Sequence, residues 1–165
     1  MKQIVSVAEM AMSTQPGDII VTYALGSCLG ITAHDAVAGI GGMVHVMLPQ
    51  SSMSPEKAKT NPYMFIDTGV PAFFRALYDA GAEKKRLKVA VAGGANVQQI
   101  GNDRFAIGKR NITFLKKLFW KNGILADAED VGGRDARTMN LEIGSGRVWL
   151  STAGTLKDLL SADVA

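Results

Sequence analysis

The chain has 165 residues, 47% of them hydrophobic and 20% charged, which excludes a disordered polymer and leaves room for one packed core. A single cysteine excludes a disulfide-built domain and suits a reducing compartment. Eighteen basic against fifteen acidic residues give +3, without the aromatic–basic alternation of single-strand binders, which argues against nucleic acid. No apolar run approaches the ~20 residues of a membrane helix, so no membrane insertion is expected, and the sequence reads as one cytoplasmic domain over 1–165.

In chain order, residues 3–8 alternate and predict a short strand. Gln15-Pro16-Gly17-Asp18 is a turn, and Ile19–Ala24 is β-branched and predicts a second strand. Gly26 breaks it. Cys28–His34 and Ile40–Leu48 follow as strands across an Asp35–Gly39 loop, with His34 read as a solvated turn residue. Residues 49–62, rich in Ser, Pro and Lys, read as a mobile loop.

Residues 67–80 carry apolar positions near helical spacing, with Asp67 or Thr68 as N-cap, Pro71 in the first turn and Gly81 as the stop. Residues 87–92 form a strand closed by Gly93-Gly94. Asn111–Asn122 is an amphipathic helix with Leu115 and Phe119 inward and Lys116, Lys117 and Lys121 outward; the basic clusters read as solvated helix ends or loops. Strands are predicted over 124–129, 137–143 and 147–151, the last two joined by Gly144-Ser145-Gly146. Seven strands and two main helices, with strands often consecutive, predict an α+β fold.

Cys28 is either a small core residue or a nucleophile. A hairpin with His34 opposite Gly39 puts Cys28 directly across from His45, with Cβ atoms about 4.5–5.5 Å apart. An adjacent imidazolium lowers a thiol pKa, and Thr22, on the preceding strand, is placed to orient the histidine. The backbone N–H groups around Ser27, Cys28 and Leu29 are candidate oxyanion donors. Two histidines and one cysteine make no recognisable metal set.

Thr22–Cys28 (TYALGSC) and Gly41–Pro49 (GGMVHVMLP) closely resemble the CheD family of chemoreceptor glutamine deamidases. The resemblance continues through Asp67-Thr68, Ala92–Asn96, Ile107–Asn111, and Ala128–Gly133 with Arg137. Ala36 departs from a proline common in relatives, and Thr155–Ala165 has no clear counterpart. The resemblance implies a layered α/β/β sandwich similar to the catalytic domain of cytotoxic necrotizing toxins. It also implies catalytic roles for Cys28, His45 and Thr22 without metal or organic cofactor. The implied reaction converts glutamine side chains of methyl-accepting chemoreceptors to glutamate, and some members also hydrolyse receptor glutamyl methyl esters. A CheC-type response-regulator phosphatase is the implied partner. The competing reading is a binding module that docks on such a phosphatase with Cys28 incidental.

Overall fold

The computed structural model describes residues 1–97 and 106–162. Its strands are β1 (Lys2–Ile4), β2 (Glu9–Ser13), β3 (Ile19–Leu25), β4 (Leu29–Asp35), β5 (Ile40–Val46), β6 (Lys88–Gly93), β7 (Ala128–Val131), β8 (Arg137–Glu142), β9 (Val148–Thr152) and β10 (Thr155–Leu160). Three α-helices accompany them: α1 (Pro55–Thr60), α2 (Ile66–Asp79) and α3 (Ile107–Lys121).

The strands form two five-stranded sheets, ordered β1-β3-β8-β9-β10 and β2-β5-β4-β6-β7. Both are mixed: β1 pairs in parallel with β3, and β6 with β7. The second sheet is the middle layer. Leu29, Ile31, Val44 and Val46 point to one side of it, where Phe73 and Leu77 of α2 and Leu115 and Phe119 of α3 cover them. On its other side Met43 and Ala92 pack against Ile20, Leu25, Met139 and Leu141 of the first sheet. The α+β class and the α/β/β layering expected from the sequence are present, with α1 as an additional short helix.

Several boundaries differ for local reasons. The strand expected over 3–8 is shorter and earlier, β1 ending at Ile4; a turn in which Ala8 takes φ 61° follows, and β2, not expected from the sequence, begins at Glu9 in the other sheet. The C-terminal stretch from Thr155 is a strand, β10, antiparallel to β9. The 49–62 segment, expected as a mobile loop, carries α1 and two short 3-10 turns. Its Ser51 donates from both N–H and Oγ to the Asp67 carboxylate, each at 2.8 Å. That contact explains why Asp67 is not the N-cap of α2: Phe65 is, and Asp67 sits in the first turn. Thr68 is likewise no cap, since its hydroxyl donates to Pro62 O at 2.6 Å. With the helix starting at Ile66, Pro71 falls in its second turn rather than its first.

The β4–β5 hairpin also departs from the expected register. Asp35 pairs with Ile40 and Gly30 with His45. The four-residue loop begins one residue later than expected, because Asp35 Oδ1 accepts from the N–H groups of both Val37 and Ala38, each at 3.0 Å. Asp35 is fully buried and is further held by Arg86 Nε and Glu83 N–H, both 2.9 Å away. Burial raises its carboxyl pKa, but these donors outweigh it and hold the value below the usual range. His34 is not a solvated turn residue. It is buried in β4, with Nε2 2.7 Å from Ile143 O of the facing sheet.

Candidate active site

A two-residue shift in register keeps every side chain on its own face. In β4, Gly30 faces the first sheet, where an added Cβ would meet Leu25 at 2.9 Å and Met139 at 3.0 Å. Cys28, two residues earlier, follows the same face and packs against the inter-sheet core. In β5, His45 shares the face of Met43, which belongs to that same core. Cys28 and His45 are therefore diagonal rather than direct cross-strand neighbours, and the residue facing His45 is a glycine, which leaves the imidazole room. The hairpin puts the two on one face, by a different register from the one expected.

Thr22 comes from the opposite sheet. Its Oγ1 lies 2.7 Å from Val5 O and 2.7 Å from His45 Nδ1, with both Thr22 and His45 buried. Val5 O can only accept, so the Thr22 hydroxyl proton points there. Oγ1 then accepts from His45 Nδ1–H, which assigns the neutral tautomer by hydrogen-bond logic. Nε2 is left with a lone pair, buried and without a hydrogen-bond partner among the described residues.

Burial lowers the His45 pKa to about 4. Burial also raises the Cys28 thiol, partly offset by the residue's own N–H. The thiolate–imidazolium pair expected from the sequence is thus not the resting state: at neutral pH the histidine is an unprotonated base and the cysteine a thiol. Cys28 is a half-buried free cysteine.

The peptide carrying Cys28 is fastened on several sides. Gly94 N–H donates to Cys28 O at 2.9 Å and Ala95 N–H to Gly26 O at 2.8 Å. Gly93 is required there: its φ is 112°, and a Cβ would lie 2.2 Å from Cys28 O. Gly108, in the first turn of α3, sits so close that a Cβ would be 2.5 Å from Gly94 O. That approach starts α3 at Ile107, earlier than the helix expected over 111–122.

Residues 47–152 match the CheD family, described as chemotactic sensory transduction. The chain is 47% identical over 157 residues to a protein of Syntrophus aciditrophicus (strain SB) named probable chemoreceptor glutamine deamidase CheD 1, covering 94% of this chain and 98% of that one. A protein of Solibacter usitatus (strain Ellin6076) named probable chemoreceptor glutamine deamidase CheD is 46% identical, over 95% and 92% of the two chains. One of Pyrococcus abyssi (strain GE5 / Orsay), with the same name, is 39% identical over 87% of each. The chain belongs to the CheD family.

Within this CheD-family chain, two residues support the site whose roles the sequence did not disclose. Asn111, fully buried on α3, donates from Nδ2 to Ser27 O at 2.9 Å and to Met47 O at 3.0 Å. It ties the cysteine turn to the end of the histidine strand. Arg137 donates to Gly93 O at 3.0 Å and Gly132 O at 2.6 Å and pairs with Asp130 at 3.0 Å, bracing both glycine turns. A polar Asn on a helix otherwise apolar on its inner face was the available signal for the first.

Beside the cysteine turn lies a cavity of about 770 Å³, lined by residues that include Gly26, Ser27, Gly94, Val97, Ile107 and Lys109. Among the described residues no group of His, Cys, Asp and Glu could hold a metal ion. No helix among them is long and apolar enough to cross a membrane.

Proposed function

We propose that the chain is a protein-glutamine deamidase that converts selected glutamine side chains of methyl-accepting chemoreceptors to glutamate, with Cys28 as nucleophile, His45 as base and acid, and Thr22 as orienting residue. The carrying observation is the Thr22–His45 hydrogen bond, which leaves Nε2 as an unpaired acceptor on the face that Cys28 shares. The names of the relatives, which are called probable chemoreceptor glutamine deamidases, support the substrate class.

Nε2 takes the Cys28 proton as the substrate carboxamide arrives, and Sγ bonds to the carboxamide carbon. Leu29 opens the β4 ladder, pairing with Val46 and Gly93, so the Ser27 and Cys28 N–H groups are the foremost candidates to hold the oxyanion. The imidazolium returns its proton to the leaving nitrogen, the C–N bond breaks and ammonia departs. Neutral His45 then deprotonates water, whose oxygen attacks the thioester; the C–S bond breaks, the thiol is restored and glutamate is released. No step calls on a metal or organic cofactor. Glutamyl methyl esters enter the same scheme with methanol as the leaving group.

A free thiol nucleophile is best preserved in a reducing compartment, which supports a cytoplasmic place of action. A CheC-type phosphatase remains the expected partner, and co-purification of the two would test it.

The deciding experiment incubates a receptor signalling fragment with the chain and with Cys28→Ala, and follows ammonia together with the roughly one-dalton gain of amide-to-acid conversion. The wild-type chain yields both and the variant, folded as judged by circular dichroism, yields neither. Undiminished turnover by Cys28→Ala would sink the mechanism.

A further inference from the structure

Helix α3 carries five basic residues, Lys109, Arg110, Lys116, Lys117 and Lys121, and no acidic one. All five are exposed, and together with Thr113 and Trp120 they make one continuous outer face. At 1.5 Å per residue the strip from Lys109 to Lys121 runs about 18 Å. Only Lys116 has an ionic partner among the described residues, Glu129 at 3.6 Å. An ordinary solvated helix face mixes both signs, and this one does not. It also displays Trp120 at 83% exposure, with Leu125 beside it at 76%, where a large apolar side chain gains nothing from water.

The strip is continuous with the candidate site. Lys109 lines the cavity that Ser27 also lines, so the cations start beside the cysteine turn and lead away from it. The face is suited to an elongated anionic surface with an apolar group at its far end. The reaction creates such a surface, since each amide-to-acid conversion adds one negative charge to the protein being modified.

We propose that the outer face of α3 is a docking strip for the acidic surface of the receptor substrate, and that it reads glutamates already present near the target glutamine. This inference rests on the deamidase reading. Receptor segments that carry glutamate at neighbouring positions dock more tightly than segments that carry glutamine there, so each conversion strengthens the hold on the segment. The attraction is between exposed charges and fades with salt.

The test uses the Cys28→Ala chain, which separates binding from turnover, and a soluble receptor fragment in two forms, with the neighbouring positions all glutamate or all glutamine. At low salt the glutamate form binds roughly tenfold more tightly, a size expected of several exposed charge pairs acting together. That preference disappears near 0.5 M salt and in K116E/K117E, whose side chains are exposed and whose fold is checked by thermal unfolding. Trp120→Ala weakens both forms alike. Equal binding of the two forms, a preference that survives K116E/K117E, or duplex DNA competing as well as the glutamate fragment would each overturn the proposal. Ammonia release by the unmodified chain is measured separately. Ammonia without a glutamate preference removes the docking strip and keeps the deamidase; a glutamate preference without ammonia does the reverse.

Discussion

Thr22 Oγ1 and His45 Nδ1 meet at 2.7 Å across the seam between the two sheets, one on β3 and the other on β5. Because the Thr22 proton is committed to Val5 O, this contact fixes the imidazole tautomer. Thr22→Val keeps the shape and removes the acceptor. It leaves a buried N–H unpaired, at a cost of about 1–3 kcal/mol, and frees the ring to take the wrong tautomer. Ammonia release is expected to fall by about 10²-fold or more, a loss of the size general acid–base catalysis supplies. Thr22→Ser should restore most of it. A Thr22→Val chain with unchanged kcat would exclude the orienting role.

The pH dependence follows from burial. Acting as a base, His45 must be neutral, and its pKa of about 4 places the acid limb of kcat/KM near pH 4 rather than in the ordinary histidine range. The alkaline limb follows loss of the Cys28 proton, which burial pushes above the usual thiol value. A profile of initial rates from pH 3.5 to 10 checks both limbs; an acid limb near 6.5 would contradict the burial argument.

Stability carries the same signature. The folded His45 pKa lies below its unfolded value near 6.5, so the unfolded chain binds the proton first as pH falls. The contribution is complete above pH 6.5 and drains between 6.5 and 4, by up to about 3 kcal/mol. Urea midpoints measured across that window should fall with acid in the natural chain and less so in His45→Gln.

Asn111→Leu removes both ties between the Ser27 carbonyl and the Met47 carbonyl. Two part-buried acceptors lose their donor, a cost of about 1–2 kcal/mol. The expected signature beyond stability is a fall in kcat larger than any rise in KM, because the distance between the cysteine turn and the histidine strand loosens. Equal kcat in a folded variant would make Asn111 structural only.

Gly93→Ala places a methyl 2.2 Å from Cys28 O at a φ of 112°. It should cost about 3 kcal/mol or more and displace the cysteine turn. Thermal unfolding and ammonia release together check it.

Much of the site was legible in the sequence because it depends on short-range patterns. Period-two apolar runs located β3, β4 and β5, and the chain-wide motifs singled out Cys28, His45 and Thr22. The register was not legible: it turned on where the Asp35 carboxylate caps the loop, and a side chain folding back on its own backbone leaves no trace in periodicity. The α3 start was hidden for a related reason, since Gly108 reads as a helix breaker until Gly94 is seen pressed against it. β2 was not expected at all: the residue at φ 61° just before it is an alanine, Ala8, where a glycine would have signalled a turn and a fresh start.

Thr22 and His45 belong to different sheets, and that has a consequence for how the chain loses function. Each sheet can keep its own ladders while the seam between them loosens, and the imidazole then loses the hydroxyl that orients it. Activity should therefore vanish before far-UV circular dichroism registers any loss of strand. In this chain the rate of ammonia release doubles as a gauge of whether the two halves of the sandwich are shut.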